Sequence, residues 1–250
     1  MLKVNVENIT LTGVQNRQAL LQNINFELDV GKVYTILGKN GTGKSTLIKA
    51  LTGLLNKNLF DINGTVFFND QNLFVTGHEN LRRIRQHEIR YVFQDAVNSF
   101  DPLKTFDYYF KNSFAEKEII DSLLKYFLLP SYEEISKLYP YEVSGGMAQR
   151  LSMVLAFAVN PRLINFDEPT SGVDYAISNL LLLKLKEYTK ERNNTALLVT
   201  QDINFAEKAS DEIALLSDGR LSLFKKKRDF FTQHNDDALN EFINSYNEIK

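Results

Sequence analysis

The sequence contains no cysteine among its 250 residues. Disulfide bonds, thiolate zinc sites and cysteine-ligated iron–sulfur clusters are therefore excluded, and the composition suits a reducing compartment. Long apolar runs are also missing, since the longest, at residues 151–159 and 180–185, fall far short of the roughly 20 residues that cross a bilayer. Any role at a membrane must therefore come through a partner.

A large excess of either sign of charge is absent as well. The formal net charge is −2 with 24% charged residues, so no broad basic field favours a nucleic acid as partner. Residues 1–7 alternate apolar and polar types, as a half-buried strand does, and lack the apolar core of a secretory signal. We therefore expect a cytoplasmic protein that binds no nucleic acid. The length suits one α/β domain or a domain with an inserted lobe.

Residues 38–45 read GKNGTGKS, a match to the GxxxxGK[ST] phosphate loop. The glycines of this pattern let successive N–H groups face phosphates, its lysine reaches the outer phosphates, and its last hydroxyl can hold Mg²⁺. A strand pattern at 33–37 precedes the loop and helical spacing at 46–55 follows it, which places a helix N-terminus under the anion. The alternative is a glycine turn with a coincidental lysine. The predicted nucleotide-binding residues are Gly38, Lys39, Asn40, Gly41, Thr42, Gly43, Lys44, Ser45 and Thr46.

Changes in periodicity divide the chain into three parts. Residues 1–94 are mostly strand-like, with one helix after the phosphate loop and turn signals at Asn63-Gly64 and Asn69-Asp70. Residues 106–159 have helical spacing, and strands and helices alternate after Pro161, as they do in a parallel sheet. The predicted strands are 4–11, 24–28, 33–37, 64–68, 90–93, 163–166 and 196–200, with later helices at 175–192 and from 203, and a hairpin at 218–219. The sequence therefore predicts an α/β fold.

Two carboxylates follow directly after the apolar strand at 163–166. Asp167 and Glu168 are therefore expected at the carboxyl edge of the sheet, where α/β proteins bind ligands. Asp167 suits coordination of Mg²⁺ together with Ser45, and Glu168 suits orienting or deprotonating an attacking water. A surface acidic pair before a turn is the alternative.

The segment VSGGMAQR at 143–150 adds a second phosphate-binding pattern. Ser144 suits an N-cap, and Gly145 and Gly146 leave N–H groups open at the start of a helix, although a helix capped for structure alone would look the same. Placed between the phosphate loop and the acid pair, this segment resembles the signature of ABC-type ATPases. The resemblance implies a P-loop NTPase core of mixed sheet, with a parallel core and an N-terminal antiparallel β part, formed by residues 1–94 and 160–250. A helical signature subdomain is then inserted at 95–159.

The resemblance covers nearly the whole chain. Gln94 looks like the family's glutamine loop, whose side chain senses Mg²⁺ and water and whose following segment contacts the transmembrane partner; this implies a catalytic and metal-site role. Asp174, at the end of SGVD, looks like the loop that crosses the dimer. In the family two subunits enclose two ATP molecules, each bound by one chain's phosphate loop and the other chain's signature. Ser144, Gly145 and Gly146 are therefore expected on the partner's nucleotide.

Two positions depart from the family pattern. Gln201 follows the strand 196–200, where the family has a histidine that hydrogen-bonds the terminal phosphate. A glutamine amide can donate but carries no charge, so either Gln201 serves as a catalytic donor or hydrolysis at this chain's own phosphate loop is slow. The second departure is the lack of an aromatic residue at 11–14, where many relatives stack the adenine.

Residues FQD at 93–95, SFDP at 99–102 and YPY at 139–141 look like the ATPases of peptide and nickel (metal-chelate) importers. The resemblance implies ATP and Mg²⁺ as cofactors, a second and different ATPase subunit, transmembrane permease subunits, an indirect solute-binding protein, and a place on the inner face of the cell membrane. Two alternatives stay open: a hydrolysis-poor ATP clamp in an asymmetric pair, and a non-transport ABC ATPase of DNA repair or translation.

Overall fold

The computed structural model describes residues 1–12, 17–191 and 194–232, together with residues 240 and 242. The first part of the chain forms β1 (Leu2–Leu11), β2 (Gln18–Leu28), β3 (Val33–Leu37), α1 (Lys44–Leu51), β4 (Phe60–Phe68), β5 (Gln71–Asn72), α2 (His78–His87) and β6 (Ile89–Val92). The middle part is helical, with α3 (Phe106–Asn112), α4 (Lys117–Tyr126), α5 (Tyr132–Ile135), α6 (Gly145–Ala158) and two 3-10 turns, Val97–Ser99 and Pro140–Glu142. The last part contains β7 (Leu163–Asp167), α7 (Tyr175–Glu191), β8 (Thr195–Thr200), α8 (Ile203–Ala209), β9 (Glu212–Ser217), β10 (Arg220–Leu221), β11 (Lys225–Lys226) and α9 (Lys227–Thr232).

These strands form two sheets. The antiparallel sheet has the order β2-β1-β4-β5, and the larger one has the order β10-β9-β3-β8-β7-β6, with β11 paired to β9. In the larger sheet β9, β3, β8, β7 and β6 run parallel, so that their carboxyl ends meet at one edge. The predicted α/β fold, with a parallel core and an N-terminal antiparallel part, is confirmed.

Alternation along the parallel strands divides the core between the two faces of the larger sheet. On β8, Ala196 and Leu198 pack with the helices of the middle part, whereas Leu197 and Val199 pack with α1 and the antiparallel sheet. Both faces of the parallel sheet are covered, which explains why β3 and β8 are buried along their whole length. The face that carries α1 also carries Leu163 at the start of β7, and therefore Asp167 four residues later on the same strand.

Two predictions about the first part of the chain are wrong. Residues 1–94 contain a second helix, α2, whose inward side consists of Leu81 and Ile84 alone, so its apolar periodicity is weak. Asn63-Gly64 is not a turn between strands but lies inside β4, at a shift in register against β1. A side chain at Gly64 would put Cβ 2.3 Å from the Asn5 carbonyl oxygen, so glycine is needed there for close backbone approach.

The other predicted elements are present, most of them with shifted ends, while β3 and the start of α8 lie where the sequence predicts them. Asn69-Asp70 does form the turn between β4 and β5, with both residues at positive φ. The predicted helix at 175–192 is α7; Arg192 lies outside the described residues, as do Gly13 and Val14 of the segment compared for adenine stacking. Among the described residues, no helix has the length and apolar character needed to span a bilayer.

Candidate active site

The loop between β3 and α1 has a backbone conformation that requires glycine at three positions. Gly41 and Gly43 lie at φ +81° and +96°, in the left-handed region that side chains disfavour. Gly38 has no such φ, but a Cβ there would lie 2.7 Å from the Leu216 carbonyl oxygen. The loop therefore turns tightly from the buried end of β3 into the first turn of α1, where a helix leaves N–H groups without intrahelical partners.

Lys44 is buried at the start of α1, with a side chain only 5% exposed. Its Nζ donates to the carbonyl oxygens of Gly38 at 2.9 Å and Lys39 at 3.0 Å, and it lies 3.2 Å from Glu168 Oε1 as an ion pair. A buried ammonium is stable only when oxygens surround it, and this one has three. The lysine is therefore held curled over its own loop and against the strand-end acid.

Glu168 follows β7 and lies at φ +46°, an unusual backbone conformation for a residue with a side chain. Its Oε2 accepts hydrogen bonds from the Thr200 hydroxyl at 2.8 Å and from the Gln201 backbone N–H at 3.2 Å. Its own N–H donates to the Val199 carbonyl oxygen at 2.9 Å. The end of β8 therefore fixes one carboxylate oxygen and leaves the other facing Lys44.

Asp167 is the last residue of β7 and is 2% exposed. The Ser45 hydroxyl donates to its Oδ1 at 2.8 Å, and the Tyr91 hydroxyl donates to its Oδ2 at 2.8 Å. Hydroxyl and carboxylate oxygens are the hard ligands that Mg²⁺ takes, and Mg²⁺ commonly uses one or two of them besides water and phosphate. Ser45 and Asp167 therefore fit this ion. No group of three or more His, Cys, Asp or Glu residues able to hold a metal occurs in the described part of the chain.

Sequence patterns missed Tyr91 and Thr200. Both lie on parallel strands at the same sheet edge as the acids, Tyr91 near the end of β6 and Thr200 at the end of β8. Burial beside the Asp167 carboxylate raises the pKa of the Tyr91 phenol well above its ordinary value, so Tyr91 remains a donor at any physiological pH. The available signal was the position of each residue at a strand end.

The two glutamines lie at the same edge but outside the buried cluster. Gln94 is exposed. It lies two residues after the end of β6, the strand that pairs with β7. Gln201 is exposed directly after β8; its backbone reaches Glu168, while its side chain extends toward solvent. The structure thus brings Lys44, Ser45 and the acid pair together, with both glutamine side chains at the rim.

The signature residues form a separate, exposed helix start. Ser144 caps α6, its Oγ accepting from the Met147 N–H at 3.2 Å, and both Ser144 and Gly145 are exposed. A Cβ at Gly145 would meet nothing within 4 Å, whereas one at Gly146 would lie 3.2 Å from the Gly172 carbonyl oxygen. Asp174, just after Gly172, caps α7 by accepting from the Ile177 N–H at 2.9 Å. The signature and the loop expected to cross a dimer are therefore packed together.

A phosphate loop between a buried parallel strand and a helix, with two strand-end acids beside its lysine and serine, defines a P-loop nucleoside triphosphatase. Comparison with known proteins narrows this class. Residues 21–171 match the ABC transporter family, and the chain belongs to that family. It is an ATP-binding cassette ATPase, as the sequence resemblance implies.

Similar proteins support the same assignment. The metal-staphylopine import system ATP-binding protein CntD of Staphylococcus aureus is 29% identical over 88% of this chain and 84% of its own length. The oligopeptide transport ATP-binding protein OppD of Lactococcus lactis is 29% identical over 82% of this chain, but the aligned part spans only 63% of that protein. The solved dimeric ATP-binding cassette MJ0796, bound to ADP and phosphate after hydrolysis, superposes with a TM-score of 0.77 at 26% identity, covering 91% of this chain and 99% of that one.

Proposed function

We propose that this chain is the ATP-hydrolysing subunit of an ABC importer, working as one half of an ATPase pair. The observation that carries the proposal is the buried cluster at the carboxyl edge of the parallel sheet. There, at the start of α1, the Lys44 ammonium forms an ion pair with the Glu168 carboxylate, and the Ser45 hydroxyl donates a hydrogen bond to the neighbouring Asp167 carboxylate.

The phosphates of ATP bind over residues 38–46 in this proposal. Backbone N–H groups of the loop and the first turn of α1 supply donors, and Lys44 adds a positive charge that already sits among oxygens. A terminal phosphate competes with Glu168 for that charge, because both are anions within reach of the same Nζ. Binding of ATP then frees Glu168 Oε1 from Lys44 while Oε2 stays fixed to Thr200.

Mg²⁺ is held by Ser45 and Asp167, with Gln94 at the rim. Once bound with the nucleotide, the ion supplies charge that offsets the charge developing on the transferred phosphoryl group. Glu168 orients and deprotonates the attacking water, since its free oxygen faces the loop's lysine and therefore the expected place of the terminal phosphate. The Gln201 amide, at the end of β8, acts as a neutral donor to that phosphate.

Ser144, Gly145 and Gly146 complete the site of a second subunit. Their helix start is exposed and directs free N–H groups outward, as an anion site requires. The Gly172 carbonyl oxygen lies against the same helix start, and Asp174 caps α7 two residues later, so the crossing loop and the signature meet the partner as one surface in this proposal. Two such chains, or this chain and a different sister subunit, then enclose two ATP molecules.

The cargo in this proposal is a peptide or a metal chelate. Support comes from the relatives, whose names specify oligopeptide transport and metal-staphylopine import. The chain then sits on the inner face of the cell membrane, bound to transmembrane permease subunits that receive substrate from a solute-binding protein. The alternative of DNA repair or translation finds no support in these names.

A hydrolysis-poor clamp is the second candidate, and Gln201 is the observation that favours it. A glutamine amide has no positive charge, and loss of one well-aimed transition-state donor lowers a rate by about 10²- to 10³-fold. In that case this chain binds ATP and closes on its partner, while the partner's own phosphate loop performs the turnover.

Purification of the tagged chain with its membrane neighbours tests the proposal. We expect a permease, a sister ATPase and a solute-binding protein to co-purify, and mass spectrometry of the ligand in that binding protein to identify a peptide or a metal chelate. Titration calorimetry of the same complex should show binding of Mg-ATP. A complex without any membrane protein, whose ATPase activity rises with nucleic acid, would contradict the transport role.

A further inference from the structure

Each carboxylate oxygen of Asp167 accepts a hydrogen bond, and the two donors lie on different elements. Oδ1 accepts from Ser45 on α1, and Oδ2 accepts from Tyr91 on β6, each at 2.8 Å. A carboxylate that receives a donor on each oxygen cannot rotate about its terminal bond without breaking a hydrogen bond. The orientation of Asp167 is therefore set from both sides.

Tyr91 is well placed to hold this orientation. Its backbone is paired with Asn165 on β7. Its side chain therefore extends along β7 by two residues to reach Asp167. The ring packs against Phe93, with 4.3 Å between the ring centroids, and it joins the apolar face that carries α1. Its phenol O–H donates to Oδ2 of Asp167 at 2.8 Å. It therefore acts as a fixed donor.

We propose that Tyr91 is a positioning residue for the metal carboxylate, directing Oδ1 of Asp167 toward Ser45 and the bound cation. This inference rests on the magnesium role of Asp167 and Ser45 proposed above. Partners behind a metal ligand set its orientation, and their loss typically lowers metal affinity about 10- to 100-fold. Gln94 lies three residues after Tyr91. The hydrogen bond from Tyr91 to Asp167 therefore connects the strand that precedes Gln94 with the carboxylate proposed to bind the metal.

The test compares the affinity for ATP in the presence of Mg²⁺ with that in EDTA, by titration calorimetry on the intact complex. Tyr91→Phe removes only the hydroxyl, and we expect the Mg²⁺-dependent gain in affinity to fall about ten-fold. Affinity for ATP in EDTA should stay unchanged. Tyr188→Phe is the control, since Tyr188 is buried and its hydroxyl donates to the Pro161 carbonyl oxygen, away from the site.

Two more variants separate the possible outcomes. Tyr91→Met repeats the loss of the hydroxyl if the phenylalanine variant folds poorly, and Asp167→Asn tests the metal ligand itself. If Asp167→Asn reduces the Mg²⁺-dependent gain while neither Tyr91 variant does, the positioning role is overturned and the metal assignment stands. If Asp167→Asn leaves the gain at the wild-type value, the metal assignment fails and the inference fails with it. Equal effects of Tyr91→Phe and Tyr188→Phe would also overturn the inference, since they would indicate general loosening of the fold.

Discussion

The phosphate loop and the signature helix start both bind phosphate in the proposal above, but they differ in how complete they are within one chain. At the phosphate loop, Lys44 and Glu168 are buried and each has further hydrogen bonds: Lys44 donates to the Gly38 carbonyl oxygen, and Glu168 accepts from the Thr200 hydroxyl. At the signature, Gly145 is exposed and has open space around it.

This difference indicates how the two regions work. A buried ion pair is stable only where additional hydrogen bonds satisfy both ions, so the phosphate-loop cluster is fixed before the nucleotide arrives. In the proposal, the signature offers the free N–H groups of a helix start to an anion on another molecule. One region is therefore expected to control ATP binding by the chain, and the other to control the assembled pair.

Lys44→Ala is expected to have the largest effect. The variant loses the only positive side chain in the described cluster and leaves Glu168 as a buried, uncompensated charge. Loss of a charged donor weakens binding by roughly 1.5–3 kcal/mol, and loss of a transition-state donor slows turnover by about 10²- to 10³-fold. We therefore expect kcat/KM for ATP to fall about 10⁴-fold in the complex. Lys49→Ala, one turn later on α1, should leave both values near wild type, and equal effects of the two variants would contradict the assignment.

Glu168→Gln is expected to lower turnover about 10³-fold while leaving ATP bound, since a general base contributes about 10²- to 10⁴-fold. The amide keeps an oxygen for Thr200 and Gln201 but cannot take a proton and no longer competes with phosphate for Lys44. An ATP-bound dimer should accumulate, as measured by size-exclusion chromatography with ATP. Rapid hydrolysis by the variant, with its partner present, would remove Glu168 from the reaction.

Gly145→Asp tests the other region. The added side chain has room, and an acidic residue suits the first turn of a helix, so the fold should be retained. In the assembled pair its negative charge faces the partner's phosphates, and we expect turnover to fall about 10²-fold, comparable to the loss of one donor. ATP binding by the separate chain should not change.

Gly77→Asp is the matched control for that variant, because Gly77 precedes α2 and a Cβ there also meets nothing within 4 Å. Wild-type turnover in Gly77→Asp together with reduced turnover in Gly145→Asp would confirm that the signature acts on a second site. A weaker affinity of the separate Gly145→Asp chain for ATP would instead indicate that both regions serve one nucleotide.

The two regions also differ in how far the sequence predicts them. The phosphate loop and acid pair follow from local rules, since the flanking strand and helix specify where the loop lies, and a strand end specifies an edge of the sheet. The hydrogen bonds from Tyr91 and Thr200 depend on the order and register of β6, β7 and β8, which local patterns do not contain. The same limit explains Gly64, whose need for glycine arises from a close approach to β1.

Gln201→His is expected to have the smallest effect, and it separates the hydrolysing subunit from the clamp. Gln201 lies at the rim of the buried cluster, so a histidine there changes a donor to the terminal phosphate without disturbing the Lys44–Glu168 pair. With the partner's own acid disabled, we expect single-site turnover to rise about ten-fold, less than the 10²- to 10³-fold value of a well-aimed donor because the wild-type amide also donates. The variant should also gain a titration near pH 6.5, where imidazole changes charge, while the wild type shows no such titration from residue 201. Rapid single-site turnover in the wild type that the variant leaves unchanged would mean that the glutamine already serves the reaction in full, which would eliminate the clamp.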